Sequence, residues 1–152
     1  MRGKLLSLMG FVAISLLGLA GSGCSNSAVG APCSPEKVYE GGFLASETYL
    51  ETSSVQCATR VCLVRGLDGD PNNLQEGDPP CPLDVEGEPS TCVFESEVER
   101  TVYCSCRCGA PAESNVPTCE CPGGFICEEV LETGGDGVRG SYCVRDPLLD
   151  VE

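Results

Sequence analysis

Cys104-Ser105-Cys106-Arg107-Cys108 is the stretch on which the reading of the fold turns. In an extended strand alternate side chains share a face, so its three sulfurs would project together, about 6–7 Å apart along the chain. Sulfurs placed that way are poorly set to bridge one another. Each is therefore expected to bond a cysteine elsewhere, which makes the segment a hub, and Cys119 and Cys121 repeat the spacing and the logic. A thiolate metal site is the competing reading of so dense a cluster. The chain has no His to help such a site, and in an oxidising compartment disulfides dominate, so no metal and no cofactor is assigned.

Working outward, the chain holds thirteen cysteines in 152 residues. Setting Cys24 aside leaves an even set of Cys33, Cys57, Cys62, Cys81, Cys92, Cys104, Cys106, Cys108, Cys119, Cys121, Cys127 and Cys143, enough for six disulfides. Their density beyond Cys24, roughly 9%, is that of a disulfide scaffold. With no Trp, four Phe and four Tyr, the chain cannot fill a large core, and covalent staples are expected to substitute for packing. Each typically contributes about 2–4 kcal/mol, against roughly 5–15 kcal/mol for the whole net stability of an ordinary domain.

The expected fold class is small and disulfide-rich, mainly short β-strands and irregular loops with little helix. Val38 to Thr52, Val61–Val64, Thr91–Phe94, Thr101–Cys104 and Ser141–Val144 carry the β-branched and aromatic runs that predict strands. No stretch sustains the three-and-four spacing of an amphipathic helix, although Cys127 to Glu132 fits one helical turn. Asp68 to Glu99 holds ten acids, no Lys or Arg, and five of the eleven prolines, which argues against long regular structure there. Residues 66–90 read as an acidic, proline-rich loop, exposed from Gly66 to Pro80, with Cys81 and Cys92 tying down the neighbouring segment. The cysteines run on without a clean gap, so residues 36–152 read as one domain.

The amino terminus supplies the location. Arg2 and Lys4 precede an apolar run from Leu5 to Ala20, and Gly21-Ser22-Gly23 then leads to Cys24. A charged start, an apolar stretch and small residues form an export signal. This one resembles a bacterial lipoprotein signal, which implies cleavage after residue 23 and diacylglyceryl and palmitoyl chains on Cys24; Gly21 stands where that family prefers Leu. Plain secretion and a retained membrane anchor are the other readings, and a spanning helix would want about twenty strongly apolar residues. All three export the body. Residues 24–35, rich in Ser, Gly, Ala and Pro, read as a flexible tether.

Beyond residue 23, all 23 carboxylates face seven Lys plus Arg. Such an excess of negative charge disfavours nucleic acid as a partner and keeps a tethered body soluble and away from anionic headgroups. No catalytic residue is assigned. The lack of His removes the usual hydrolase triads, no Cys-x-x-Cys pair occurs for thiol oxidoreductase chemistry, and nothing singles out one carboxylate pair. Asp68, Asp70 and Asn72 sit at the spacing of the first ligands of a calcium loop, but Asn73 and Pro79 replace the Gly and Glu that complete it. An acidic turn is the expectation, with Glu76 and Asp78 able to complete a weak site.

Cys119-Glu120-Cys121-Pro122-Gly123-Gly124-Phe125 resembles the end of an epidermal-growth-factor-like module over seven residues. Cys127 comes too early and Cys143 too late for the last cysteine of that family, so the stretch is expected to be a chain reversal at Gly123-Gly124. Taken whole, Cys24 with its signal, Gly30-Ala31-Pro32-Cys33, Gln56 to Cys62 and the alternate cysteines resemble the cysteine-rich lipoproteins of Gram-negative, myxobacteria-like bacteria. That resemblance implies a cell-envelope location, lipid-anchored in the outer membrane and facing either the periplasm or the surface, and a structural or binding role toward an envelope or extracellular protein. The alternative is a disulfide-rich inhibitor or enzyme, with Gly109 to Thr118 the best inhibitory loop.

Overall fold

Short apolar runs that each embed a cysteine become strands here, because a β-branched or aromatic side chain packs well on a pleated surface while the sulfur leaves the sheet to staple a loop. The computed structural model describes residues 28–75 and 92–149. The first sheet is antiparallel, with order β1 (Thr48–Glu51), β2 (Val61–Arg65), β5 (Val102–Ser105). Its register sets Tyr49 opposite Val64, Leu63 opposite Tyr103 and Cys62 opposite Cys104. A two-residue parallel pairing joins β3 (Leu74–Gln75) to β4 (Val93–Phe94). The second sheet runs β6 (Arg107–Gly109), β8 (Gly140–Arg145), β7 (Phe125–Leu131), again antiparallel. The chain crosses from one sheet to the other at Cys106, whose carbonyl accepts the Cys143 N–H at 3.0 Å.

One apolar cluster joins Phe43, Cys57, Cys62, Val64, Leu67, Val93, Val102 and Cys104. A second spans both sheets, with Leu63 of β2, Tyr103 of β5 and Val144 of β8 buried, and Phe125 and Val130 of β7 against them. Half of the first cluster's buried members are not large aliphatics, and its cysteines carry covalent bonds. Cys33–Cys62 ties the amino-terminal segment to β2, and Cys57–Cys104 ties the loop before β2 to β5. The second sheet holds Cys106–Cys119, Cys108–Cys127 and Cys121–Cys143. Cys92 is also disulfide-bonded. The fold is small, disulfide-rich and made of short strands and irregular loops.

Three local expectations need correction. Residues 28–33, expected to belong to the tether, are fixed on β5: Gly30 N–H donates to Cys104 O, Cys104 N–H donates to Ala31 O, and Pro32 bridges Tyr103. An unpaired sheet edge offers donors and acceptors to any neighbouring chain, and this segment takes them. The loop expected to be exposed from Gly66 turns inward at once, with Leu67 fully buried and Gly69 N–H and C=O both bonded to Phe43. Gly42 allows this approach: it sits at φ +87°, and a Cβ there would collide with the Gly69 backbone. Of Cys127 to Glu132, expected to fit a helical turn, Cys127 to Leu131 lies in strand β7 and Glu132 just beyond it, because pairing with β8 satisfies the backbone. The single helix among the described residues, α1 (Glu95–Thr101), is short, as expected there: it begins in the acidic stretch and ends two residues past it, with Glu95 and Glu97 in its first turn and Arg100 in its last. That order of charges complements the helix dipole. The signal, Cys24, Cys81 and residues 76–91 of the acidic loop lie outside the described residues.

Candidate functional site

The densest chemistry is the sulfur cluster of the second sheet. Cys104, Cys106 and Cys108 bond to Cys57, Cys119 and Cys127, on three separate stretches of chain. Cross-strand neighbours do not bond each other: Cys62 faces Cys104, and Cys143 faces both Cys127 and, through its N–H, the Cys106 carbonyl. Cys62, Cys104 and Cys143 instead reach loops, while Cys108–Cys127 joins the two outer strands, β6 and β7, of the second sheet. The Cys143 Sγ, fully buried, lies 3.6 Å from Cys106 Sγ and 3.8 Å from Cys119 Sγ without being bonded to either. It also shares a 4.8 Å neighbourhood with the sulfurs of Cys108 and Cys121. Cys33, Cys57 and Cys104 form a similar triplet in the first sheet. All of these sulfurs are in disulfides, which gives them no thiolate with which to hold a metal.

Arg107 sits in the hub between Cys106 and Cys108. It is buried, and its guanidinium donates to the carbonyls of Asp136 and Gly137 and, through Nε and Nη2, to the Tyr142 hydroxyl. Tyr142 in turn donates to the Val138 carbonyl. A fully buried tyrosine and a buried arginine thus pin the loop from Gly134 to Arg139, using donors that would otherwise be costly to bury. Beside them lies a surface cavity of about 320 Å³, lined in part by Thr59, Cys106, Arg107, Val116 and Cys119.

A second cavity, about 240 Å³, gathers Arg65, Arg100 and Arg145 with Tyr103 and Glu128. Arg65 is ion-paired to Glu128 there. Arg145 stacks 5.1 Å from the Tyr103 ring and 5.4 Å from Phe125, and donates to the Glu99 carbonyl at the end of α1. Arg139 pairs with Asp136. Among the described residues the buried carboxylate is Glu51, whose Oε2 accepts the Glu36 N–H while Oε1 has no partner. Burial, reinforced by the charges of Glu51 and Glu36 and by Tyr39, raises the pKa of nearby Tyr49.

Of the calcium-like residues, Asp70 turns its Oδ1 back to the Asn72 N–H at 2.8 Å while its carbonyl accepts from Asn73. This is an Asx turn, a local use of the side chain; Glu76 and Asp78 lie outside the described residues. The seven residues from Cys119 to Phe125 reverse the chain at Gly124, φ +85°, with Phe125 N–H bonded to the Pro122 carbonyl. Gly109 to Thr118 is closed at its base by Cys106–Cys119 and turned at Pro111 by a bond from the Ser114 N–H.

Sequence reasoning missed Arg107, Tyr142 and Arg145. Their roles depend on strand register, which sets Arg107 opposite Tyr142 and Phe125 opposite Arg145, and no local pattern states that register. No family model, no curated protein and no solved structure matches the chain.

Proposed function

We propose that the chain is an exported, lipid-anchored protein of the cell envelope whose disulfide-rich body binds or braces a basic partner and turns over no substrate. The observation that carries the binding half is how four of the seven Lys and Arg beyond residue 23 are used. Arg107 is buried in the fold, Arg65 is paired to Glu128, Arg139 to Asp136, and Arg145 is stacked on two rings. Carboxylates such as Glu113, Glu120, Glu129 and Glu132 stay exposed. The resulting field attracts a positively charged surface over a range that salt shortens to about 8 Å at physiological ionic strength. The anchored location rests on the signal-like order from Arg2 to Cys24 and on the disulfides, which persist in oxidising compartments.

The test is capture of envelope proteins on the purified body at low and at high salt, beside a variant carrying Glu120→Gln, Glu129→Gln and Glu132→Gln. The reading expects capture that weakens with salt and with the substitutions. Capture insensitive to both, or a reproducible hydrolytic activity of the purified body, contradicts it. Inhibition is the second reading, favoured by the covalent closure of the Gly109 to Thr118 loop; inhibition of a protease panel that vanishes when this loop is cut would establish it in place of the first.

A further inference from the structure

We propose that the three disulfides of the second sheet form an internal thiol–disulfide exchange relay, by which a dithiol acting on the exposed Cys108–Cys127 bridge frees the thiol of Cys119 at the 320 Å³ cavity. The relay is independent of the anchor and of any binding partner.

Three observations carry it. Cys127 is exposed and its bridge to Cys108 is the point of attack from solvent, whereas Cys143 and Cys106 are buried. The sulfurs then follow one another inward without a gap: Cys108, Cys121 and Cys143 lie within 4.8 Å of one another, and Cys143 Sγ stands 3.6 Å from Cys106 Sγ and 3.8 Å from Cys119 Sγ. The alternative bond is also compatible with the backbone. Cys106 immediately precedes β6, next to the Arg107–Tyr142 pair, and its carbonyl accepts the Cys143 N–H, which extends the antiparallel register by one residue to Cys106 and Cys143. Opposed residues in an antiparallel pair have Cα atoms about 4.5–5.5 Å apart, within the range a disulfide spans.

The chemistry balances. An external dithiol gives two electrons and two protons to Cys108–Cys127, leaving as its cyclic disulfide and producing two thiols. The Cys108 thiolate attacks Cys121 Sγ, forming Cys108–Cys121 and expelling the Cys143 thiolate. That thiolate attacks Cys106 Sγ, forming Cys106–Cys143 and expelling Cys119, which takes up the proton lost by Cys108. Two thiols exist before and after, moved from Cys108 and Cys127 to Cys119 and Cys127. Exchange proceeds through thiolates along such a path without a Cys-x-x-Cys pair. Cys119 and Cys106 both line the cavity, so the relay ends where a ligand has access. In the first sheet Cys57, Cys62 and Cys104 are all buried, which withholds a comparable point of attack and makes that sheet an internal control.

In the test, free thiols of the folded protein are first blocked with a light alkylating reagent, which also disposes of any thiol on Cys24. One equivalent of dithiothreitol follows, then a heavy alkylating reagent and peptide mapping. The relay expects more heavy label on Cys119 than on Cys108, together with linked peptides Cys106–Cys143 and Cys108–Cys121, while Cys33–Cys62 and Cys57–Cys104 stay intact. Label confined to Cys108 and Cys127 overturns it, as does equal loss of bridges from both sheets. Cys127→Ala needs no reductant and keeps the proposal open to refutation: its single unpaired thiol is expected on Cys119, in a fraction that is reached faster as pH rises toward the ordinary thiol value of about 8.5. A thiol that remains on Cys108 at every pH overturns the relay.

Discussion

Arg107 brings a full positive charge into the interior and meets it with two carbonyls, a phenol oxygen and the Tyr142 ring at 5.5 Å. Hydrogen bonds to a charged group are each worth about 1.5–3 kcal/mol. Arg107→Ala is therefore expected to cost at least about 2 kcal/mol in denaturant unfolding with the disulfides intact, and to raise hydrogen exchange from Gly135 to Arg139; unchanged exchange there would refute the pinning role. Arg107→Lys keeps the charge but loses the planar fork, so it should restore only part of the loss. Gly42 and Gly66 separate two reasons for glycine. Both have positive φ, but a Cβ at Gly42 meets the Gly69 backbone, whereas at Gly66 it meets open space. Gly66→Ala should cost about 1–2 kcal/mol, the left-handed penalty alone, and Gly42→Ala clearly more, read from the same unfolding curves. Tyr49 gives the pH dependence. Its pKa is raised by burial first and by Glu51 next, so the folded state holds the phenolic proton more tightly than the unfolded chain. That stabilisation is complete below the ordinary tyrosine value near 10 and is lost as pH rises through the higher folded value. Spectrophotometric titration should show Tyr49 ionising late, and Glu51→Gln should bring it back toward the ordinary value.

At the scale of elements, the bridges differ in what they close. In the chain-entropy account stabilisation grows with the length of the closed loop. Cys57–Cys104 spans 47 residues and Cys106–Cys119 spans 13, which corresponds to about 4 and about 3 kcal/mol. Paired Cys→Ala replacement of the longer bridge should therefore lower the unfolding midpoint more, and the opposite order would show that strain or packing dominates. The strands were legible because Val61–Val64, Val102–Cys104 and Ser141–Val144 are continuous β-formers, and the cysteine count forced a stapled fold. What could not be read was pairing between distant segments. The residues around Gly30 look like linker by composition, yet they lie on β5 because that edge was open. Leu67 follows a glycine in an acidic stretch, and only its contact with the Phe43 cluster explains its burial. Cys127 to Glu132 gives a helix-like local pattern, but β8 lies alongside Cys127 to Leu131 and the strand wins. The site was less legible than the fold: Arg107 was visible only as the charged residue between two cysteines, and the stacking of three bridges around Cys143 follows from register alone.

For the whole molecule, two small cores, the second formed by Leu63, Tyr103 and Val144 across the two sheets, are reinforced by covalent bonds, and an acidic surface faces solvent. If this body hangs from a lipid anchor, mass spectrometry of the mature amino-terminal peptide will find Cys24 acylated at its sulfur and amino group; an intact Met1 start or an unmodified Cys24 would remove the anchor from the proposal. Because burial of large side chains is limited, reduction of all bridges should abolish the cooperative unfolding transition, as read by circular dichroism. The central claim is that cysteines opposed on neighbouring strands are not bonded to each other: Cys108–Cys127 joins the outer strands β6 and β7 of the second sheet, and the other four mapped bridges each reach a loop. Peptide mapping of the unreduced, thiol-blocked protein tests it most directly. The account predicts linked peptides Cys33–Cys62, Cys57–Cys104, Cys106–Cys119, Cys108–Cys127 and Cys121–Cys143; a native map containing the cross-strand pairs Cys62–Cys104 or Cys127–Cys143, or free thiols among these ten, would contradict it.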